Sequence, residues 1–252
     1  MRERTRKALV IFGLNPVMEK LRSSPEGVFE LMVDKGRERS ALRLIVEEAE
    51  RRGLPVRYVD SRALNLLASG RPHQGVAATV TPFSYRPFAG LLQELSSAPA
   101  QERILVLDGL TDPGNFGALL RSAEGAGVRH VVIPKDRSVG VTPLVVKGSA
   151  GAVNYLKIYR VANLRGALQA LKERGCWIVG LDADAPDSVY GRLYPERVAV
   201  VLGSEGSGIR PLIRRECDFL VSIPMLGRIA SLNVSVAGGI ILYELVRQRR
   251  QG

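Results

Sequence analysis

The fold of this 252-residue chain depends on one stretch near its C-terminus, IPMLGRIASLNVSVAGGIILYE at residues 223–244. Two polar residues, Ser231 and Asn233, precede an apolar run that begins at Val234. Ser and Asn are favoured N-caps because their side-chain oxygens accept from unpaired backbone N–H groups. Apolar residues then recur at helical spacing, which predicts a helix over 234–249 with one buried face. These positions are Val234, Ala237, Ile241 and Leu245. Taken alone, the stretch is typical of a capped core helix.

The charge balance of the chain favours a polyanionic partner. Lys and Arg outnumber Asp and Glu by 36 to 25, which gives a formal charge of +11, and the excess is spread over both halves of the sequence. A strongly basic domain is the electrostatic footprint of nucleic-acid binding. The alternative is a surface that is merely well solvated. We expect RNA or DNA as the partner.

The sequence offers no sign of export, membrane insertion or metal binding. The apolar run Ala8–Phe12 is too short for a signal peptide, and no run is long enough to span a bilayer. Two cysteines, Cys176 and Cys217, and two histidines, His73 and His130, are too scattered for metal-ligand spacing. We therefore predict a cytoplasmic protein without a membrane partner, metal site or disulfide framework.

Strands and helices alternate along the chain, which predicts an α/β protein with helices covering its sheets. The segment 1–81 should form a small first domain, with strands at 8–12, 28–33, 56–59 and 76–80 and helices at 15–22, 40–52 and 61–68. Residues 82–102 contain three prolines and a helix near 88–95, as expected of a linker. The segment 103–252 should form a second domain. Its short apolar runs, typical of buried parallel strands, lie at 104–107, 131–133, 177–181, 198–202 and 219–223, and its helices at 118–125, 164–174 and 234–249.

Two further loops follow predicted strands of the second domain, where open α/β sheets bind their ligands. Residues 108–117 carry Asn115, with Arg121 about one and a half turns into the next helix. Residues 202–209, LGSEGSGI, hold three glycines and a single acid, Glu205. Their spacing matches neither the dinucleotide fingerprint nor a Walker loop. Each residue alone also fits a turn or a solvated surface position, so these loops suggest a nucleoside-like ligand only in combination.

Together the three stretches resemble the SpoU (TrmH) family of RNA 2′-O-ribose methyltransferases, members of the SPOUT class. The motifs occur in order as Asn-x-Gly-Ala-x-x-Arg-Ser-Ala with its asparagine at Asn115, Leu-Gly-Ser-Glu-Gly at 202–206, and Ile-Pro-Met…Ser-Leu-Asn-Val-Ser-Val-Ala at 223–237. The likeness covers residues 104–246 without departure at a motif position. It implies S-adenosylmethionine as methyl donor, a deep C-terminal trefoil knot, and a homodimer whose active site takes residues from both subunits.

The resemblance also assigns roles by position. The cofactor-binding residues it implies are Leu202, Gly203, Ile223, Met225, Gly227 and Leu232. The catalytic and ribose-side residues it implies are Asn115, Arg121, Glu205, Ser231 and Asn233. The family gives the arginine the role of proton acceptor, although a guanidinium normally stays protonated. Stabilisation of developing negative charge by Arg121 is the alternative.

The first segment is similar to the L30e-like RNA-binding domain of the RlmB-like subgroup. The likeness rests on Val17-Met18-Glu19-Lys20-Leu21 and on the turn Arg71-Pro72-His73-Gln74-Gly75. It implies a guanosine of 23S ribosomal RNA as the substrate. Two alternatives remain, namely a transfer-RNA ribose methyltransferase and a catalytically silent RNA- or ribosome-binding protein of the same fold.

Overall fold

The computed structural model describes residues 8–36, 40–97 and 101–249. The basic residues 1–7 and residues 98–100 of the predicted linker lie outside these ranges. By internal contacts the chain divides into two units, Met1–Ser84 with Val141–Tyr155, and Tyr85–Gly140 with Leu156–Gly252. The predicted domain limits, 1–81 and 103–252 with a linker between, stay a prediction.

The elements follow one another along the chain in the expected alternation. The strands are β1 (Leu9–Phe12), β2 (Val28–Asp34), β3 (Val56–Val59), β4 (Val76–Val80), β5 (Glu102–Asp108), β6 (His130–Pro134), β7 (Lys157–Val161), β8 (Trp177–Leu181), β9 (Asp187–Ser188), β10 (Arg197–Gly203) and β11 (Phe219–Ser222). The helices are α1 (Leu14–Ser23), α2 (Ser40–Arg51), α3 (Ser61–Leu67), α4 (Phe88–Ser97), α5 (Pro113–Gly125), α6 (Pro143–Gly148), α7 (Leu164–Lys172), α8 (Pro211–Arg214) and α9 (Val234–Arg249).

The first unit is built on a four-stranded mixed sheet in the order β1-β4-β2-β3. Strands β1 and β2 each run antiparallel to β4, whereas β2 and β3 are parallel. A buried cluster forms between the sheet and α3, and its members are Phe12, Met32, Leu64, Ala68 and Ala77. The strands and helices predicted between residues 8 and 80 are confirmed, with ends shifted by at most one residue.

The second unit is built on seven parallel strands in the order β7-β6-β5-β10-β8-β11-β9. Strands β5 and β10 lie at its centre and are almost wholly buried, as their uninterrupted apolar sequences predict. Helices α4 and α7 cover one face through Leu91, Leu95, Leu168 and Leu171. The α/β class with a parallel sheet is therefore confirmed. The trefoil knot stays a prediction.

The sequence-based prediction missed strands β7 and β9 and helices α6 and α8, which are short or carry charged residues. Strand β7 reads Lys-Ile-Tyr-Arg-Val and lies at the edge of the sheet, where its charged residues reach solvent. Strand β9 and helices α6 and α8 are only two, six and four residues long. Helix α6 and the turn Ala152–Tyr155 belong to the first unit, where Lys147 lies 4.8 Å from the ring centroid of Phe12.

Helix α9 begins at Val234 as predicted, but only its second half is buried as expected. Ile241 and Leu245 are buried, whereas Val234 and Ala237 are half-buried. The helix packs closely on α5 because Gly238 brings the two backbones together. A Cβ at this position would overlap side-chain carbons of Leu119 and Leu202. The prediction of one continuous buried face was thus wrong for the first turn, which lines a cavity.

Candidate active site

Two loops meet at the carboxyl edge of the seven-stranded sheet because the strands that carry them are neighbours. Asp108, the last residue of β5, is in register with Gly203, the last residue of β10. The Asp108 carboxylate is fully buried and accepts from the Arg210 backbone N–H at 2.8 Å and from the Arg210 guanidinium at 2.7 and 2.5 Å. Arg210 thus contacts both carboxylate oxygens, and these contacts fasten the end of the glycine-rich loop beside the start of the other loop.

Helix α5 begins earlier than predicted and places Asn115 in its first turn. Asp112 caps the helix by accepting from the Asn115 backbone N–H at 2.7 Å, and Pro113 takes the first helical position. Arg121 therefore lies more than two turns into the helix, rather than the one and a half turns that the sequence suggested. The predicted loop at 108–117 is shorter as a result, ending at the cap.

Three polar side chains from three separate segments form one hydrogen-bonded cluster. Asn115 donates its amide to Glu205 Oε1 and accepts at Oδ1 from Asn233 Nδ2 at 3.0 Å. Asn233 Nδ2 also donates to Glu205 Oε1 at 3.1 Å. The Asn233 Oδ1 accepts from the Ser235 N–H at 2.9 Å, which caps α9 as predicted. One oxygen of the Glu205 carboxylate is therefore held by two amides, which fixes the direction of the other.

A cavity of about 530 Å³ opens beside this cluster. Its size is within the range of small-molecule sites, and its walls combine apolar side chains with backbone and polar groups. Of the predicted cofactor residues, five line it: Leu202, Gly203, Ile223, Met225 and Leu232. Gly227 does not. Glu205, Ser231 and Asn233 line the same cavity, so the glycine-rich loop and the stretch at 223–237 form two of its walls.

The glycine-rich loop closes so tightly that Gly203 admits no side chain. Ser204 and Gly208 exchange backbone hydrogen bonds, each at 3.0 Å. A Cβ on Gly203 would overlap the backbone of Gly208 and Ile209. Gly206 and Gly208 both take positive φ, at 81° and 65°, which favours glycine. The loop therefore presents backbone atoms to the cavity at close range.

The structure separates Arg121 from the other predicted catalytic residues. Six residues along a helix correspond to about 9 Å of rise and a rotation to a different face, so Asn115 and Arg121 do not adjoin. Arg121 is exposed and lies outside the cavity lining, and its guanidinium makes no hydrogen bond or ion pair with another described residue. Ser231 is exposed at the cavity wall and likewise has no hydrogen-bond partner in the described part of the chain.

One wall of the cavity escaped the sequence-based prediction. It consists of Leu181, the last residue of β8, and of Asp182, Ala183 and Asp184, which follow the strand. Strand β8 neighbours β10 in the sheet, so its carboxyl end faces the same edge. The strand itself was predicted at its observed limits, but strand order was needed to place its loop next to the glycine-rich loop.

Cys176 and Cys217 are both free thiols of the second unit. Burial raises the pKa of Cys217 to about 12 and that of Cys176 to about 11, so neither thiol is an activated nucleophile. Within residues 8–36, 40–97 and 101–249, no group of three or more His, Cys, Asp or Glu could hold a metal ion. In the same ranges no helix has the length and apolarity needed to cross a membrane.

Comparison with protein families matches both parts of the chain. Residues 102–243 match the model of the SpoU rRNA Methylase family. Residues 10–86 match the model described as RNA 2′-O ribose methyltransferase substrate binding. The first match covers more than half of the chain and includes the loops that meet at the cavity.

Curated relatives and solved structures agree with these matches over nearly the full length. The chain is 44% identical over 239 residues to the 23S rRNA (guanosine-2′-O-)-methyltransferase RlmB of Xylella fastidiosa, covering 95% of this chain and 96% of the relative. The RlmB of Shewanella oneidensis is 40% identical, with coverage of 97% and 99%. The SpoU methyltransferase AviRb of Streptomyces viridochromogenes, solved in complex with AdoMet, shares the fold at 24% identity, with a TM-score of 0.79 and coverage of 100% and 94%.

Proposed function

Because the chain belongs to the SpoU rRNA Methylase family, we propose that it transfers a methyl group from S-adenosylmethionine to the ribose 2′-hydroxyl of a guanosine in 23S rRNA. The near full-length similarity to RlmB enzymes supports this substrate. The main structural support is the hydrogen-bonded cluster of Asn115, Glu205 and Asn233 at the wall of a nucleoside-sized cavity. A protein that only bound RNA would not need this arrangement.

The cavity fits the methyl donor in size and in lining. Apolar Leu202, Ile223 and Leu232 suit a nucleobase, and the backbone of the loop that starts at Gly203 suits the polar parts of a nucleoside. When bound, S-adenosylmethionine supplies a methyl group made electrophilic by a positively charged sulfur. The residues of the chain have to align the 2′-oxygen with that methyl group and assist removal of its proton.

We assign the orientation of the ribose to the three-residue cluster. The two amides of Asn115 and Asn233 fix one oxygen of Glu205, which leaves the second oxygen of the carboxylate to accept a hydrogen bond from ribose. Ser231, exposed at the same wall, supplies a hydroxyl for the 2′-oxygen or its neighbour. Asn233 is held still by its role as the cap of α9, so catalysis and capping use the same residue.

Arg121 fits this mechanism only if a second copy of the chain brings it to the site. Within one chain it lies on another face of α5, exposed and unbonded. Large apolar side chains are exposed just before helix α9 and on the helix itself. They include Leu226 and Ile229 before the helix, and Val236 and Tyr243 on it. Exposed apolar surface of this kind marks association sites. We therefore propose a homodimer in which Arg121 stabilises negative charge on the 2′-oxygen or an adjacent phosphate in the partner's site.

Hybrid dimers test the shared site directly. Arg121→Ala and Glu205→Gln should each abolish methyl transfer, with S-adenosylmethionine affinity retained in the arginine variant. Co-expression of the two variants should restore about a quarter of the wild-type rate, because half of randomly formed dimers are hybrids with one intact site. No recovery in purified hybrids would place Arg121 and Glu205 in the same subunit's site, and unchanged transfer by Arg121→Ala alone would place the arginine outside the mechanism.

Mapping of 2′-O-methylated nucleotides in total RNA, with and without the gene, tests the substrate. Loss of one guanosine methylation in 23S rRNA is the expected result. Loss from a transfer RNA would support the tRNA alternative, and an unchanged RNA profile together with no S-adenosylmethionine binding would support the silent RNA-binding alternative.

A further inference from the structure

A group of basic side chains lies at the carboxyl edge of the sheet, on the side of β5 away from the cofactor cavity. Its members are Lys135, Arg137 and Arg160, and we call it the β6–β7 basic patch. Lys135 directly follows β6, and Arg160 is the fourth residue of β7. All three are exposed. The mechanism above uses none of them.

The patch is ordered by contacts within the second unit. Lys135 donates its backbone N–H to the Val161 carbonyl at 2.8 Å, and Arg160 Nη2 donates to the Lys135 carbonyl at 2.6 Å. The Arg160 guanidinium also lies 5.0 Å from the ring centroid of Tyr85. Because Arg160 is held on both sides, its charge has a fixed position at the edge of the sheet.

The loop after β6, which carries Lys135 and Arg137, is hydrogen-bonded to the loop between β5 and α5. Val139 donates its backbone N–H to the Leu110 carbonyl at 2.8 Å, and Leu110 lies two residues before Asp112, the cap of α5. Strands β7, β6 and β5 are consecutive in the sheet, and neighbouring strands lie about 4.8 Å apart. The patch is therefore roughly 5–10 Å to the side of the β5 edge that leads to Asn115.

The cations at the amino ends of β6 and β7 are ion-paired, unlike those of the patch at the carboxyl ends. At the amino ends, Arg129 is paired with Glu102, and Lys157 is paired with Glu94 at 2.6 Å. At the carboxyl edge, no carboxylate of a described residue lies within ion-pair distance of Lys135, Arg137 or Arg160, and the one acid in the loop is exposed Asp136. Three cations and one exposed carboxylate leave a net charge of +2 beside a ribose-modifying site, which is complementary to phosphates.

We propose that the β6–β7 basic patch binds the phosphodiester backbone of the RNA next to the target nucleotide. The inference rests on the proposed function and extends it, because it gives the methyltransferase unit an RNA contact of its own, in addition to the segment at residues 10–86 that matches the substrate-binding family model. The contact is to phosphates and reads no base, so it positions the target ribose without specifying sequence. Arg160 on β7 and the two cations of the loop after β6, Lys135 and Arg137, bind the phosphates together.

Matched neutralisation tests the patch. In the full-length protein, Lys135→Gln/Arg137→Asn removes two charges, and asparagine tolerates the positive φ of 56° at position 137. Arg215→Gln/Arg249→Gln removes the same net charge from exposed positions outside the carboxyl edge and serves as the control. The assays are KM for 23S rRNA, kcat at saturating RNA, S-adenosylmethionine affinity, and RNA binding as a function of salt.

The patch variant should raise KM for RNA about tenfold and reduce the slope of log K against log salt by about 1.4, because each single-strand phosphate contact contributes about 0.7. Its kcat and S-adenosylmethionine affinity should match the wild type. A variant indistinguishable from the control would overturn the proposal, since net charge alone would then explain binding. Weakened S-adenosylmethionine binding would overturn it by assigning the patch to the cofactor site. Absence of methylation by the wild-type protein would instead refute the proposed function.

Discussion

Gly203 has the tightest backbone environment of the proposed cofactor residues. Gly203→Ala should abolish S-adenosylmethionine binding, because the new methyl group would overlap the Gly208 and Ile209 backbone and force the loop to open. Calorimetric titration with the cofactor measures this directly. The matched control is Gly90→Ala in α4, where a Cβ meets no atom within 4 Å. That change should leave binding intact and raise stability by up to about 1 kcal/mol. Retained binding in Gly203→Ala would contradict the close approach of the loop to the ligand.

Individual site residues could be located from the sequence where they belong to a recognisable loop motif. It placed Glu205, Ser231 and Asn233 at one cavity, because each lies just after a strand or just before a helix. It could not show that Asn115 would bond to both Glu205 and Asn233, which are 90 and 118 residues away. It could not show the buried contact of Asp108 with Arg210 either, because that depends on the order of strands in the sheet.

The packing of α5 against α9 gives a prediction about whole elements. Gly238→Ala should destabilise the second unit by about 1–3 kcal/mol, because the added methyl group overlaps Leu119 and Leu202 where the core is already filled. Gly239→Ala, one residue further along the same helix, meets only Ser122 Oγ at 3.8 Å. It should be neutral or stabilising by up to about 1 kcal/mol. Urea unfolding followed by fluorescence of Trp177, the single tryptophan of the chain, reports on this sheet. Equal effects of the two substitutions would contradict the close helix contact.

The amino ends of β5, β6 and β7 share a buried histidine that should make stability depend on pH. His130 is 1% exposed and its Nδ1 lies 2.9 Å from the Tyr159 hydroxyl. Burial lowers the pKa of His130 to about 4, against the opposing effect of Glu94, and Lys157 and Arg129 lower it further. The unfolded chain, with a pKa near 6.5, therefore binds more protons than the folded chain as pH falls from about 6.5 to 4.

It follows that the free energy of unfolding should drop by about 2 kcal/mol between pH 7 and pH 5 through this group. Unfolding in urea across that range, followed by Trp177 fluorescence, measures the drop. In His130→Gln, which can still hydrogen-bond Tyr159, most of it should disappear. Carboxylates such as Glu94, whose pKa is lowered mainly by its hydrogen bond from Lys157, release their stabilisation at lower pH. A slope unchanged in the variant would show that His130 is not the group responsible.

Element by element, prediction succeeded where hydrophobic burial alone decides the structure. Strands β5 and β10 are buried on both faces, and their apolar runs were enough to find them. Edge strand β7 contains two charged residues among five and was missed, as was short α6. The first turn of α9 looked like core in the sequence, yet Val234 and Ala237 face the cavity, because a ligand site and a protein core have the same apolar composition.

Across the whole molecule, the basic excess of +11 is consistent with the two kinds of RNA contact that we describe. One lies in the segment at residues 10–86, which matches the substrate-binding family model. The other is the proposed contact at Lys135, Arg137 and Arg160 beside the cavity. Composition alone suggested a polyanion but could not locate it, because the position of a charge on the surface depends on strand order and on which cations are already paired.

Methyl transfer to a defined RNA tests whether this chain methylates a ribose 2′-oxygen of 23S rRNA. Purified protein, methyl-labelled S-adenosylmethionine and unmodified 23S rRNA should give label in a single alkali-resistant dinucleotide, the signature of a 2′-O-methyl group. An RNA fragment with 2′-deoxyguanosine at that nucleotide should accept none. Label on a base, or undiminished transfer to the deoxy substrate, would contradict the account.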